Sequence, residues 1–351
     1  MPRKVFTAGE VLAAADVNTY LMNQAVMTFA GTAARGSAIG TATEGMVTYL
    51  ADSDSFEFFD GSSFVPLATE TPTVEYLVIA GGGAGSLRAA TDAAGGGGAG
   101  GYRTNVSGAL SGGSTVAELP MPLVAGTYTI TVGGGGAGVT ADNTRGNSGS
   151  ASILANIVSI GGGFGHTFAN TNEDLLAGSG GGGSKANANP NGGPPVPQQG
   201  FKGGNANASF NGGAGGGGAG AVGANTIGSP GSNGGNGLAS SITGSAVTRA
   251  GGGGGGGTNT SGGTGGAGGG GNGAIDAATA GNGTANTGSG GGGGETGTSG
   301  NGGSGIVIFS VPTGTSVSFS AGVTETNSTV SGRQVYVVTA TSTTSETVTF
   351  A

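Results

Sequence analysis

The glycines of this chain are concentrated in one long stretch. Of 87, six precede residue 75 and three follow residue 311, which leaves 78 in the 237 residues between. They come in runs, among them 81–83, 95–98, 133–136, 215–218, 251–257 and 290–294. One-third glycine with a strict triplet period would mean collagen. Here every run breaks the period, and proline is rare at 11 residues. Apolar, strand-like segments bracket the region, which a flexible linker does not need.

The polyproline II helix gives such runs a structural use. It has three residues per turn, a rise of about 3.1 Å and no internal hydrogen bonds. Packed side by side, these helices can donate N–H groups to neighbouring carbonyls, provided no Cβ blocks the approach. A helix enclosed on all sides must then be glycine on all three faces. The 251–257 run meets that demand with about 22 Å of helix free of side chains. Runs flanked by Ala, Ser, Thr or Asn belong on the outside. Ordering glycine carries a high entropy cost, so dense bonding between helices is required. The competing reading of the same composition is a disordered low-complexity segment.

The flanks read differently. In residues 1–74, Thr7-Ala-Gly-Glu10 has the form of a capping box, and Asp16 is placed to cap a second helix through Val17, Tyr20, Leu21, Gln24 and Met27. The period then becomes alternating, and Met46–Leu50, Ser55–Phe59 and Ser63–Leu67 read as three short strands with turns at 52–54 and Asp60-Gly61. So small a module buries little alone, and association with copies or a partner is expected. The glycine-rich domain, 75–311, opens with the apolar run 74–80 and closes with 305–311, natural neighbours in one sheet. Further strands are expected at 126–132 and within 150–160. Residues 312–351 read as a small β-module with strands at 316–320, 334–338 and 346–350. The expected fold is therefore mainly β and polyproline II. It comprises a helical and β-meander N-terminal module, a β-scaffold carrying packed polyglycine II helices, and a C-terminal β-module.

Charge and motifs narrow the chemistry. Only 8 % of residues are charged and the net charge is −8, unlike the basic stripe of a nucleic-acid binder. Between residues 178 and 294 the charged residues are Lys185, Lys202, Arg249 and Asp276. There is no Cys, hence no disulfide or thiolate chemistry. No signal peptide or membrane-spanning apolar run is visible. Gly81-x-Gly83-x-x-Ser86 after a strand imitates a dinucleotide fingerprint, but the glycine-dense sequence that follows cannot form the required helix. No cofactor is expected. His166 is the only histidine, which excludes the usual zinc sets, and no nucleophile elbow accompanies it. No catalytic residues or metal site are assigned, and no enzymatic activity is expected.

Two patches read as recognition loops. Phe164, His166 and Phe168 form a small aromatic cluster, of a kind that anchors interfaces when held on rigid loops. The stretch from Asn189 and Asn191 through four prolines (190, 194, 195 and 197) to Gln198, Gln199 and Phe201, followed by Phe210, should leave the helix bundle because proline cannot donate to it. Its amides and rings suit contact with carbohydrate. An ordinary solvated loop is the plainer reading of the same residues.

Residues 5–67 resemble the N-terminal modules of tail-associated proteins from phages of actinobacteria, through Phe6-Thr-Ala-Gly-Glu-Val-Leu12, Ala15-Asp-Val-Asn-Thr-Tyr-Leu21 and Glu44-Gly-Met-Val-Thr-Tyr-Leu50. Residues 75–311 resemble the glycine-rich domain of phage tail fibre and minor tail proteins, through the opening Tyr76-Leu-Val-Ile-Ala-Gly-Gly-Gly83 and the closing Gly302-Gly-Ser-Gly-Ile-Val-Ile308. The resemblance implies a tail-tip adhesin of the virion, with packed polyglycine II helices whose loops contact a host-cell surface glycan or protein. It further implies a homotrimer attached to tail or baseplate proteins through the N-terminal module, with no nucleic-acid partner and no membrane insertion. Synthesis would be in the host cytoplasm. Unlike such adhesins, this chain continues through a β-module to Ala351. A purely architectural tail fibre and an ice-binding polyproline II protein are the alternatives.

Overall fold

The computed structural model describes residues 26–67, 72–88, 91–167, 176–185 and 191–351. The chain divides into two compact units between Thr71 and Pro72.

In the first unit, β1 (Met27–Phe29) is followed by a helix, α1 (Thr32–Ala38), and by β2 (Val47–Leu50), β3 (Ser55–Phe59) and β4 (Phe64–Pro66). They form one sheet in the order β1-β2-β3-β4, with β1 parallel to β2 and the rest antiparallel. The three expected strands are present. The Asp60-Gly61 turn is held by Asp60 Oδ1, which accepts from the amides of Ser62 and Ser63 at 2.8 Å each. Met27 is a strand residue rather than the end of a helix, because pairing of 27–29 with 48–50 overrides the local helical period. The remainder of that expected helix, and the capping box at Thr7, lie outside the described residues.

The second unit contains β5 (Thr73–Ile79), β6 (Tyr102–Thr104), β7 (Leu110–Ser111), β8 (Thr115–Val116), β9 (Met121–Pro122) and β10 (Gly126–Thr131). Two hairpins follow, β11 (Ser152–Leu154) with β12 (Ile157–Ser159), and β13 (Leu238–Ser240) with β14 (Val247–Arg249). The chain ends with β15 (Ile306–Pro312), β16 (Val317–Phe319), β17 (Val323–Val330), β18 (Arg333–Thr341) and β19 (Thr347–Phe350).

The two apolar runs that bracket the glycines are antiparallel neighbours, with Val307 opposite Val78 and Phe309 opposite Tyr76. They are continuously apolar because both faces are covered. Val74, Tyr76, Val78, Val307 and Phe309 pack on Ile130, Leu154, Val348 and Phe350 of the second sheet, whose order is β12-β11-β10-β19-β16. Leu77, Ile79, Ile306 and Ile308 face the other way, onto Ala99, Tyr102, Ala219 and Ala250. Residues 312–351, expected as a module apart, complete both sheets: β18 pairs with β15, and β19 with β10.

Below that second face lies the glycine-rich region, in which hydrogen bonds recur every third residue. In segment 93–101 the amides of Ala93, Gly96 and Ala99 donate to Asn211, Ala214 and Gly217. Those of Ala94, Gly97 and Gly100 donate to Gly294, Gly291 and Gly288. Those of Gly95, Gly98 and Gly101 donate to His166, Gly163 and Ile160. All nine bonds are 2.7–3.1 Å. The carbonyls of the same segment accept from three further neighbours, at 80–86, 179–182 and 253–256. Contact with one neighbour at every third residue is the signature of a threefold helix, here surrounded by six others.

The 251–257 run is enclosed in the same way. It donates to segments around 232–235, 94–97 and 271–274 and accepts from 263–266, 290–293 and 213–216. Steric exclusion explains its composition. A Cβ on Gly253 would lie 2.0 Å from Gly291 O, on Gly254 2.0 Å from Gly263 O, and on Gly255 2.1 Å from Gly213 O. The requirement is less absolute than expected near helix ends, since Ala93, Ala94 and Ala99 are fully buried in the enclosed 93–101 helix. Ala99 directs its methyl group into the apolar cluster under the sheet.

At the outer rows, asparagine side chains supply carbonyls to neighbouring helices. Asn233 Oδ1 accepts from the Thr264 amide at 2.9 Å, and Asn236 Oδ1, three residues on, from the Ala267 amide at 3.0 Å. Asn272 serves Gly265, Asn282 serves Asn301, and Asn301 serves Gly138.

Two measurements check this account. Gly254→Ala is expected to destabilise the domain by at least about 3 kcal/mol or to abolish folding. Gly134→Ala, where a Cβ meets nothing within 4 Å, should leave the melting temperature nearly unchanged. Asn236→Ala should lower stability by about 1 kcal/mol, read by denaturant unfolding.

Candidate functional site

The helices reverse direction at two ends. Next to the sheets, the turns lie at 197–199, 219–221, 267–269 and 285–288. At the opposite end, loops near residues 139–145, 206–211, 226–231, 258–262, 275–279 and 295–298 are stitched to one another. Leu87 donates to Thr144 O, Arg88 to Glu295 O, and Thr296 to Asp276 O. Ala93 donates to Asn211 O, Gly212 to Gly228 O, Thr258 to Ser229 O, and Gly231 to Ser261 O. Exposed residues of this loop face include Asn207, Ile227, Asn259, Thr260 and Asp276.

A network of charged side chains lies at the same end. Asp92 lies 2.8 Å from an Arg88 guanidinium nitrogen and 3.0 Å from Lys185 Nζ. Lys185 Nζ also donates to Asn211 Oδ1 at 2.8 Å, and Arg88 Nη1 to Ser184 Oγ at 3.3 Å. Arg88 and Asp92 are buried, so this network ties helix ends together. Glu295 is buried beside it, 7 % exposed. Burial, then the nearby Asp276 and Asp92 carboxylates, hold its carboxyl above the usual range, partly offset by the Asp276 backbone amide.

Of the nine residues expected to contact a receptor, the seven that are described do not form one site. Phe168 and Asn189 lie outside the described residues. Phe164 is buried rather than projecting: it belongs to a lattice helix, with the Arg145 guanidinium 4.9 Å from its ring centre. His166 is half-buried, its Nδ1 3.0 Å from Asn191 O, so these two patches meet. Phe210 is half-buried at the loop end, its amide donating to Asn207 O. Gln198, Gln199 and Phe201 lie at the sheet end. Gln199 is a structural bracket, not an available contact. It is buried, its Oε1 accepting from the Ile160 amide at 2.8 Å and its Nε2 donating to Val158 O at 3.3 Å. Phe201 is half-buried in the lattice, its amide donating to Gly218 O. Gln198 is exposed.

Gln198 borders a groove of about 1030 Å³ between the 115–122 segment and the second sheet. Tyr76 Oη donates to Glu118 Oε2 at 2.9 Å on its floor, and Arg103 Nε to Glu118 Oε1 at 2.8 Å. Val116 and Leu119 stand exposed at its rim. Composition offered no sign of this groove, because it forms between segments remote in sequence.

The glycines of the dinucleotide-like motif are occupied by protein. A Cβ on Gly82 would lie 2.1 Å from Ser289 O, and on Gly83 2.1 Å from Gly163 O. The Ser86 hydroxyl donates to Gly165 O and accepts from the Gly146 amide. Backbone, not a pyrophosphate, fills the space that these glycines provide. The family assignment agrees with this use of glycine, because the family model of the glycine-rich domain matches residues 59–312. The chain belongs to this glycine-rich domain family. A search of curated proteins finds no match to it. The glycine-rich domain match takes in the lattice and the β5–β15 pair, and ends at Pro312, before β16 begins.

Glu295 makes the stability of this domain pH-dependent. Its folded carboxyl binds a proton more readily than the unfolded one, whose ordinary pKa is 4.5. Its contribution is therefore fully present below that value and is lost as pH rises through the raised folded value. Melting curves of the full chain and of Glu295→Gln between pH 4 and 8 should diverge in that sense, with the wild type losing more stability as pH rises.

Proposed function

We propose that this chain is a structural protein of a tailed-phage virion, a tail fibre or minor tail protein, whose loops recognise a host-cell surface. The observation that carries the reading is the loop face: several loops fixed side by side by the ends of one hydrogen-bonded lattice. Preorganised loops lose little conformational freedom on binding, and rigid frames with variable loops are a common recognition arrangement. The resemblance of residues 5–67 and 75–311 to phage tail proteins supplies the biological setting. In this reading the first unit attaches the chain to tail or baseplate proteins. A homotrimer would present several copies of the loop face, so that weak contacts add through avidity.

Contacts to a surface glycan or protein come from loop residues: exposed Asn191 beside half-buried His166, the 207–210 turn with half-buried Phe210, Ile227, and Asn259 with Thr260. The 275–279 loop completes the face.

The test is adsorption of the fluorescently labelled full chain to cells of the host. Replacing 227–230 and 259–261 together should reduce binding at least tenfold, with the melting temperature nearly unchanged. Binding unaltered by both replacements would leave an architectural fibre. Antibody against the chain that fails to label the virion tail would remove the phage reading altogether.

A further inference from the structure

We propose that the groove beside β10 takes an extended segment of another polypeptide as an added β-strand. Along one side of β10, β19 pairs with Gly126–Thr129. Along the other side, β11 pairs only with Ile130 and Thr131. Beyond that pairing the chain turns at Ala155, with φ 53°, into β12. The place of a strand beside the first part of β10 is therefore open, and the groove of about 1030 Å³ lies there, lined by Thr127, Tyr128 and Thr129.

The alternation of the ladder fixes which backbone groups face the groove. Ile130 donates to Glu346 O at 2.9 Å. Residues 126, 128 and 130 thus direct their amides and carbonyls to β19, and Thr127 and Thr129 direct theirs the other way. The 2.9 Å contact between Thr127 Oγ1 and Thr349 Oγ1 agrees, because side chains approach most closely where a facing pair is not hydrogen-bonded. The Ala155 amide occupies the Thr129 carbonyl. The Thr127 amide, the Thr127 carbonyl and the Thr129 amide have no backbone partner among the described residues. This row of donor, acceptor and donor is what an added strand pairs with.

The side chains around the opening define the segment. Val116 and Leu119 on the facing bank are 82 % and 87 % exposed. Met121, Tyr128 and Ile157 line the groove half-buried, at the margin of the core between the two sheets. A strand beside β10 turns every second side chain toward that margin, so apolar residues at alternate positions would complete its packing. Charge is not called for. Glu118 already accepts from Tyr76 Oη and from Arg103 Nε and Nη2, and Arg103 Nη1 donates to Val158 O. The segment that fits is an uncharged strand, apolar at alternate residues.

The test is a displayed library of short random peptides, sorted with the labelled full chain and followed by fluorescence anisotropy of the enriched peptides. The expected result is enrichment of uncharged peptides with alternating apolar residues. N-methylation should weaken their binding at every second backbone amide and not at the amides between. Thr127→Pro removes one donor at an edge position that accepts proline, and should weaken binding at least about fivefold. Should Thr127→Pro fail to fold, Leu119→Asp, at an exposed position, must weaken binding instead. No enrichment, equal binding by a folded variant, or N-methylation without the alternation overturns the site. So does a wild type that sediments as an oligomer dissociated by Leu119→Asp, which makes the occupant a second copy. The groove lies at the sheet end, away from the loop face, and no host cell enters the test.

Discussion

The structure depends on a short distance: the approach of one backbone N–H to the carbonyl of a neighbouring threefold helix. At that separation no Cβ fits. Around the enclosed helices an added methyl carbon would fall about 2 Å from a carbonyl oxygen, as at Gly253, Gly254 and Gly255. Glycine is required there because of what surrounds it, not because of a left-handed backbone. Each hydrogen bond contributes only about 1 kcal/mol net, and each glycine loses more entropy on ordering than any other residue. The arrangement is sustained by number and regularity, with amides and carbonyls paired on six sides of the same helix.

A lattice of this kind has two boundaries to manage. One face meets the β5–β15 pair, where Ala99, Ala219 and Ala250 supply the apolar contact that glycine lacks. That pair is in turn covered by the second sheet through Phe309 and Phe350, whose rings meet edge to face at 5.7 Å. The outer rows have no such cover. There Asn233, Asn236, Asn272 and Asn301 extend a side-chain carbonyl where a further helix would have supplied one. The loop ends are tied by a charge network, with Asp92 shared between Arg88 and Lys185.

Much of this is legible in residue order. The brackets at 74–80 and 305–311 read as paired strands because both are continuously apolar, and the 251–257 run reads as an enclosed helix because nothing but glycine fits. The less legible features are those made by partners distant in sequence. Gln199 resembles a loop amide suited to a ligand, but it serves Ile160 and Val158 on another segment. Phe164 resembles a projecting anchor, but its neighbours are lattice helices. The asparagines look like surface decoration until their spacing is set against a neighbouring helix, where 233 and 236 face 264 and 267. Glu295 drew no attention as a single acid after a glycine run; its burial arises from the packing of two loops.

The central claim is that the glycine-rich region is an ordered lattice of hydrogen bonds between helices. Amide hydrogen exchange on the full chain tests it most directly. The account predicts that the amides of Gly95–Gly98 and Gly252–Gly256, though outside any helix or sheet of the usual kind, exchange only through global unfolding, as slowly as those of Val307 and Phe309. Exchange of these glycine amides at the rate of an unstructured chain, with the β-strands still protected, would contradict it.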